Sequence, residues 1–190
     1  MRQAIYIVFI FSILSCSNSK KSDNLKSEKN QLPINQIEKV IEKRFVYEFY
    51  VDSLKREMIY ELTKKINDSS IIYHYKNLSD SEKNKSFKFL KKSNQLFLLG
   101  TEFELIKEKH YSDKNLSESD FDLYVLAESI DDGNGPMFFN PEYGILNLDN
   151  GWGMDLIYLK RGQKAELAKE LIKTLKEKTF YKAGSCCTSP

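Results

Sequence analysis

Cysteine, histidine, tryptophan and proline are scarce in this chain: three, two, one and four of its 190 residues. Two histidines leave little material for a metal centre, and a closed zinc site wants about four ligands. The eight glycines never fall into the G-x-x-x-x-G-K or G-x-G-x-x-G arrangements that cradle phosphates, so no nucleotide cofactor is expected. No G-x-S-x-G elbow presents a serine nucleophile. A large charge of one sign is also missing. The formal net charge is +2, from 29 basic and 27 acidic residues that are interspersed, whereas a nucleic-acid partner calls for a concentrated basic face. Nor is there an apolar run of the ~20 residues that a spanning helix needs.

What is present starts at the N-terminus. Arg2 precedes an apolar stretch from Ala4 to Leu14, and Ser15-Cys16 ends it before a polar segment. These are the parts of a secretory signal. Ile13-Leu14-Ser15-Cys16 resembles the lipobox of bacterial lipoproteins, with Ile13 standing where leucine is commoner. That resemblance implies cleavage after Ser15, a diacylglycerol on the Cys16 thiol and a fatty acid such as palmitate on its new amino group. Each buried methylene contributes ~0.8 kcal/mol, and two or three chains make attachment lasting. The protein would then be a cell-envelope lipoprotein, tethered to its membrane without crossing it. Ser17 is not the aspartate that retains such proteins at the inner membrane, so the resemblance favours the outer membrane. The competing account is an uncleaved, buried helix with an incidental cysteine.

Residues 16–32 follow as the lipidated cysteine and a flexible tether, since Ser17 to Gln31 holds a single aliphatic residue, Leu25, too little to order itself. Residues 33–182 form one domain of a length that buries about 70% of its unfolded surface. Residues 183–190 read as a disordered tail. Its adjacent Cys186 and Cys187 either pair between molecules, close on each other through a strained ring, or stay without function; they do not make a zinc site.

Within the domain, Ile34, Ile37, Val40 and Ile41 recur at helical spacing and predict a short N-terminal helix to about Lys43. From Arg44 the period changes to two. Phe45 to Val51 reads as a strand, Asp52 to Arg56 as a connection and Glu57 to Lys64 as its hairpin partner. Leu54, Met58, Leu62 and Ile66 also fit a helix over residues 53–66, but both flanks read as strand. Further strands are expected over Ile71–Tyr75, Phe87–Lys91, Gln95–Leu99, Thr101–Lys109, Phe121–Ala127, Met137–Phe139, Tyr143–Leu148 and Gly153–Leu159. Polar turns separate them, the signature of an antiparallel meander. Gln163 to about Lys178 is an amphipathic helix with Ala168, Leu171, Ile172 and Leu175 on one stripe. The expected fold is therefore α+β: a curved antiparallel sheet of eight to ten strands, a half-barrel, with a short helix before it and a C-terminal helix packed on it.

Weak binding candidates cluster in two loops. Asp131, Asp132 and Asn134, around Gly133 and Gly135, offer oxygen ligands of the kind Ca²⁺ takes, yet without the alternating carboxylates and closing Glu of an EF-hand. A solvated turn explains the same residues, and no metal is assigned. Asp149 and Asp155 flank Asn150-Gly151-Trp152-Gly153, where glycines beside the only tryptophan admit a ligand to its ring. The plainer account is a hairpin turn with the Trp packed as core. His74 points opposite to Tyr73 and Tyr75, and His110 closes a strand. Glu102 and Glu104 share a strand face with Lys107 and Lys109 nearby and read as solvated. No catalytic residue is assigned and no cofactor expected. The leading expectation is a lipid-anchored module that binds a protein, peptide or apolar ligand, or has a structural role. The alternative is an envelope hydrolase built on the loops at Asp131 and Asp149.

Overall fold

The computed structural model describes residues 38–128, 133–163 and 165–180. Ten strands follow one another: β1 Glu38–Tyr50, β2 Ser53–Ile66, β3 Ser70–Asn77, β4 Lys85–Leu90, β5 Gln95–Leu98, β6 Thr101–Tyr111, β7 Phe121–Leu126, β8 Met137–Asn140, β9 Gly144–Asp149 and β10 Met154–Lys160. Among the described residues one α-helix, α1, covers Ala165–Phe180. Each strand pairs antiparallel with its sequence neighbour, and β1 also pairs with β10, so the sheet closes into a barrel. The meander, the curvature and the C-terminal helix are as the sequence implies. The half-barrel is not: Arg44 to Tyr50 bond to Lys160 to Met154 and leave no open edge there. Closure pairs N–H and C=O groups that two edges would leave free. Register shifts at Glu48/Phe49, Leu105/Lys107, Lys107/Tyr111 and Phe138/Phe139 mark where strands bend around the bore.

The expected N-terminal helix is also corrected. Glu38 to Lys43 are strand, in register with Ile66 to Glu61. Val40 and Ile41 point to opposite faces, and Ile41 lies exposed on the outside. Residues 53–66 are strand rather than helix and pair with β1 as the expected hairpin, with a tighter turn than Asp52 to Arg56. Val51 and Asp52 alone make it, both at positive φ (45° and 65°), the type I′ pattern that suits strand twist.

Ten strands enclose a wide bore, and large aromatic rings fill it. Tyr60, Tyr73, Tyr75, Phe87, Phe89, Phe103, Tyr124, Phe139 and Tyr158 all belong to the inner core, with edge-on pairs such as Tyr75–Tyr158 at 5.2 Å and Tyr73–Phe139 at 5.4 Å. Bore volume thus accounts for nine of the 24 Phe, Tyr and Trp residues. A second core lies outside the barrel, where Ala168, Leu171, Ile172 and Leu175 of α1 cover Phe49, Phe138, Leu146, Ile157 and Leu159. That is why β8 and most of β9 and β10 are buried on both faces, while β2 alternates.

The β8–β9 turn folds into one mouth of the barrel. Its three carbonyls accept in succession from Tyr73 Oη to Pro141 (2.6 Å), Lys64 Nζ to Glu142 (2.6 Å) and Arg44 Nη2 to Tyr143 (2.6 Å). Glu42 balances both cations, at 3.1 Å from Arg44 and 2.7 Å from Lys64. Arg44 also lies 4.4 Å from the Tyr143 ring centroid. Three buried polar side chains are therefore spent on satisfying one inserted turn.

Candidate functional site

On one side of the barrel Gly135 and Pro136, at the end of one candidate loop, meet the other at Asp149. Asp149 and Asp155 are register partners on β9 and β10. The β7–β8 connection returns over them: Gly135 N–H donates to Asp149 O (2.8 Å), and Asp149 N–H donates to Pro136 O (3.1 Å). A Cβ on Gly135 would fall 2.5 Å from Asp149 Oδ2, so only glycine allows this approach. Asn134 is a half-buried loop residue beside it; Asp131 and Asp132 lie outside the described residues, as do Cys16, Cys186 and Cys187.

Helix α1 completes a cleft of about 260 Å³ lined by Pro136, Asn147, Asp149, Asp155, Leu175, Lys176 and Thr179. Lys176 dominates its electrostatics. Its ammonium reaches Asp155 Oδ2 at 3.0 Å and Asp52 Oδ1 at 2.8 Å, tying the helix to β10 and to the β1–β2 turn. Burial raises the Asp155 carboxyl above the usual range, against the downward pull of Lys176. Burial pulls the Lys176 ammonium down, but bonds to Asp52 and Asp155 outweigh it and leave it raised. The pair serves the lysine more than it serves the aspartate. Asp149 Oδ1 accepts from Gly151 N–H at 2.8 Å and shapes the turn. Much of this acidic group holds the fold, and a ligand for Asp155 must first displace Lys176.

Trp152 is not core. It is 71% exposed at the tip of the β9–β10 turn with φ 56°. Alternation along a strand buries every second residue, but Trp152 precedes β10 and escapes that rule. Trp152→Gly should therefore leave stability to urea within about 1 kcal/mol of the parent; a larger loss would mean the ring supports the barrel.

Neither histidine lines the Asp149 cleft. His110 follows a bulge at Lys109 (φ 49°), stacks on Phe138 at 5.8 Å and places Nε2 3.0 Å from Lys178 O at the end of α1. His74 faces outward on the far wall, its Nδ1 2.8 Å from Ser86 Oγ, in an open groove of about 420 Å³ shared with Lys39, Thr63, Lys65 and Ile72. Sequence reasoning missed Ser86, because the partnership exists only through the β3–β4 register. The pair resembles a nucleophile and its base, but neighbouring backbone N–H groups point along the sheet into ladder bonds. They are not aimed outward at a developing oxyanion.

Among the described residues, no cluster of His, Cys, Asp and Glu has metal-binding geometry. No helix there is long and apolar enough to cross a membrane. Compared with protein-family models, curated proteins and solved structures, the chain finds no match.

Proposed function

We propose that this protein is a lipid-anchored cell-envelope lipoprotein, held at the outer membrane through Cys16, whose barrel acts as a binding or interaction module. The anchor rests on the lipobox-like Ile13-Leu14-Ser15-Cys16. The observation that favours binding over the envelope hydrolase is the bond of Lys176 to Asp155 and Asp52, which commits the buried acid of the Asp149 cleft to holding α1. A general acid or base needs a group free to meet its substrate.

The anchor is tested by mass spectrometry of membrane fractions from cells making the parent chain or Cys16→Ala. The parent should lack Met1 to Ser15 and carry acyl mass on its first residue; Cys16→Ala should lose both changes. An intact, unmodified N-terminus in the parent would end this reading.

A further inference from the structure

The two ends of the barrel differ in a way that the meander makes plain. In an up-and-down sheet the turns β1–β2, β3–β4, β5–β6, β7–β8 and β9–β10 share one end, and the alternate turns share the other. The first end carries Tyr50 and Val51 (48% and 64% exposed), Leu78 (50%), Leu99 (74%) and Trp152 (71%). At the other end, the turns at Asn67–Ser69, Lys91–Asn94 and Pro141–Tyr143 and the loop at Ser112–Asp120 carry no exposed large apolar side chain. Val51, Leu99 and Trp152 also sit at positive φ (45°, 49° and 56°), where glycine and asparagine are the comfortable residues. Most of each side chain faces water, so the folded barrel gains little from apolar groups there.

We infer that this rim dips into the headgroup region of the bilayer that holds the Cys16 lipid. The inference rests on the lipid-anchor reading and names the rim's partner as a phospholipid surface. Shape supports lipid over protein. The apolar groups stand on separate convex turns rather than on one packed face, and a fluid interface accepts such fingers without matching them. Tyr50, Val51 and Trp152 are the contiguous centre: Val51 N–H donates to Gly153 O at 3.1 Å, and Gly153 lies against Val51 and Tyr50. Tyrosine and tryptophan are the side chains enriched at membrane–water interfaces.

Charge agrees. Lys55 Nζ lies 5.6 Å from the Tyr50 ring, the arrangement in which an apolar stem sinks and its ammonium reaches the headgroups. Three carboxylates of this end are paired, Asp52 with Lys176, Glu48 with Arg56 and Asp80 with Lys83, while Glu82 and Glu128 are exposed on its β3–β4 and β7–β8 connections. Reach agrees too. The chain enters the barrel at Glu38, the opposite end of β1, and β1 with its 13 residues is about 40 Å long. Residues 16–37 extend to at most roughly 75 Å, enough for the far rim to return to the same membrane.

Because Trp152 is the only tryptophan, its fluorescence reports the rim without a label. The lipidated chain, purified from membranes, would be reconstituted into protein-free vesicles of phosphatidylethanolamine and phosphatidylglycerol, with or without nitroxide-bearing lipid. Trp152 emission should be blue-shifted and quenched by nitroxides near the headgroup. Both effects should be lost in Val51→Asn/Leu99→Asn, substitutions that suit positive φ, while that variant still floats with the vesicles. A chain that floats while Trp152 stays red and unquenched overturns the rim proposal and leaves the anchor standing. Shielding that appears only when other envelope proteins are added overturns it as well, in favour of a protein partner. A parent chain that does not float removes the anchor reading itself.

Discussion

Gly144→Ala should destabilise the barrel by about 2–5 kcal/mol, measured by urea unfolding of the full chain. Two terms combine. Gly144 sits at φ +91°, and the left-handed region costs an L-residue about 1–2 kcal/mol. The new methyl would also fall 2.5 Å from Tyr75 Oη, and overpacking a dense core costs roughly 1–3 kcal/mol. Tyr75 cannot easily yield. It is fully buried, edge-on to Phe87 and Tyr158, and its Oη accepts from Ile145 N–H at 3.1 Å. The two terms can be separated. Tyr75→Phe alone should cost about 1–3 kcal/mol by stranding the Ile145 N–H. Combined with Gly144→Ala it removes the obstructing oxygen, so the double variant should be more stable than the sum of the singles predicts by about 1–2 kcal/mol. Additive costs, within about 0.5 kcal/mol, would show that the clash is not where the loss arises.

Gly144 also shows what the sequence could and could not disclose. The strand periods, the turns between them and the α1 stripe were legible because alternation and helical spacing are local. Ala168, Leu171, Ile172 and Leu175 are the helix residues that pack. Closure was not legible. It depends on Arg44 to Tyr50 meeting Met154 to Lys160, a pairing between the ends of the domain that no local window contains. The first strand misled because Val40 and Ile41 fit a helical spacing and a strand equally well. In the barrel Ile41 is exposed and Val40 faces the other way, so these two share no stripe; Ile34 and Ile37 lie outside the described residues. The β1–β2 turn hid for a chemical reason: Val51-Asp52 carries none of the glycine or asparagine that usually marks two positive φ values. The same mismatch at Leu99 and Trp152 is now the most informative signal on the surface.

For the candidate site, proximity was visible and purpose was not. Asp149 and Asp155 flank a hairpin turn, so their adjacency follows from the sequence. Lys176, which decides what Asp155 does, lies on α1 and reaches it only through the packing of the helix on β10. His74 and Ser86 are a second case, joined by register alone.

Lys176→Met tests that decisive contact. The substitution keeps most of the side-chain volume and removes the cation, leaving the Asp155 carboxylate, 7% exposed, without its partner. Breaking a fully buried pair costs roughly 3–5 kcal/mol. Lys176 is 28% exposed, so a loss of about 2–3 kcal/mol at pH 7 is expected after solvent screening. The pH dependence identifies the cause. Burial already raises the Asp155 carboxyl above its ordinary value of 3.8 in the folded protein. A raised carboxyl leaves the folded state unpenalised below the unfolded pKa, and the penalty grows as pH rises through the folded pKa. Removing Lys176 raises the folded pKa further and enlarges that penalty. The deficit of Lys176→Met should therefore shrink as pH falls from 7 towards 4. Lys176 itself adds nothing to this window, since its raised ammonium titrates only at alkaline pH. Asp155→Asn in the Lys176→Met background should recover much of the loss at pH 7, because no charge is then left to bury. A deficit that stays constant from pH 4 to 7 and is not relieved by Asp155→Asn would mean that Lys176 contributes packing alone. The acid of the cleft would then be free for chemistry, and the case for the hydrolase would reopen.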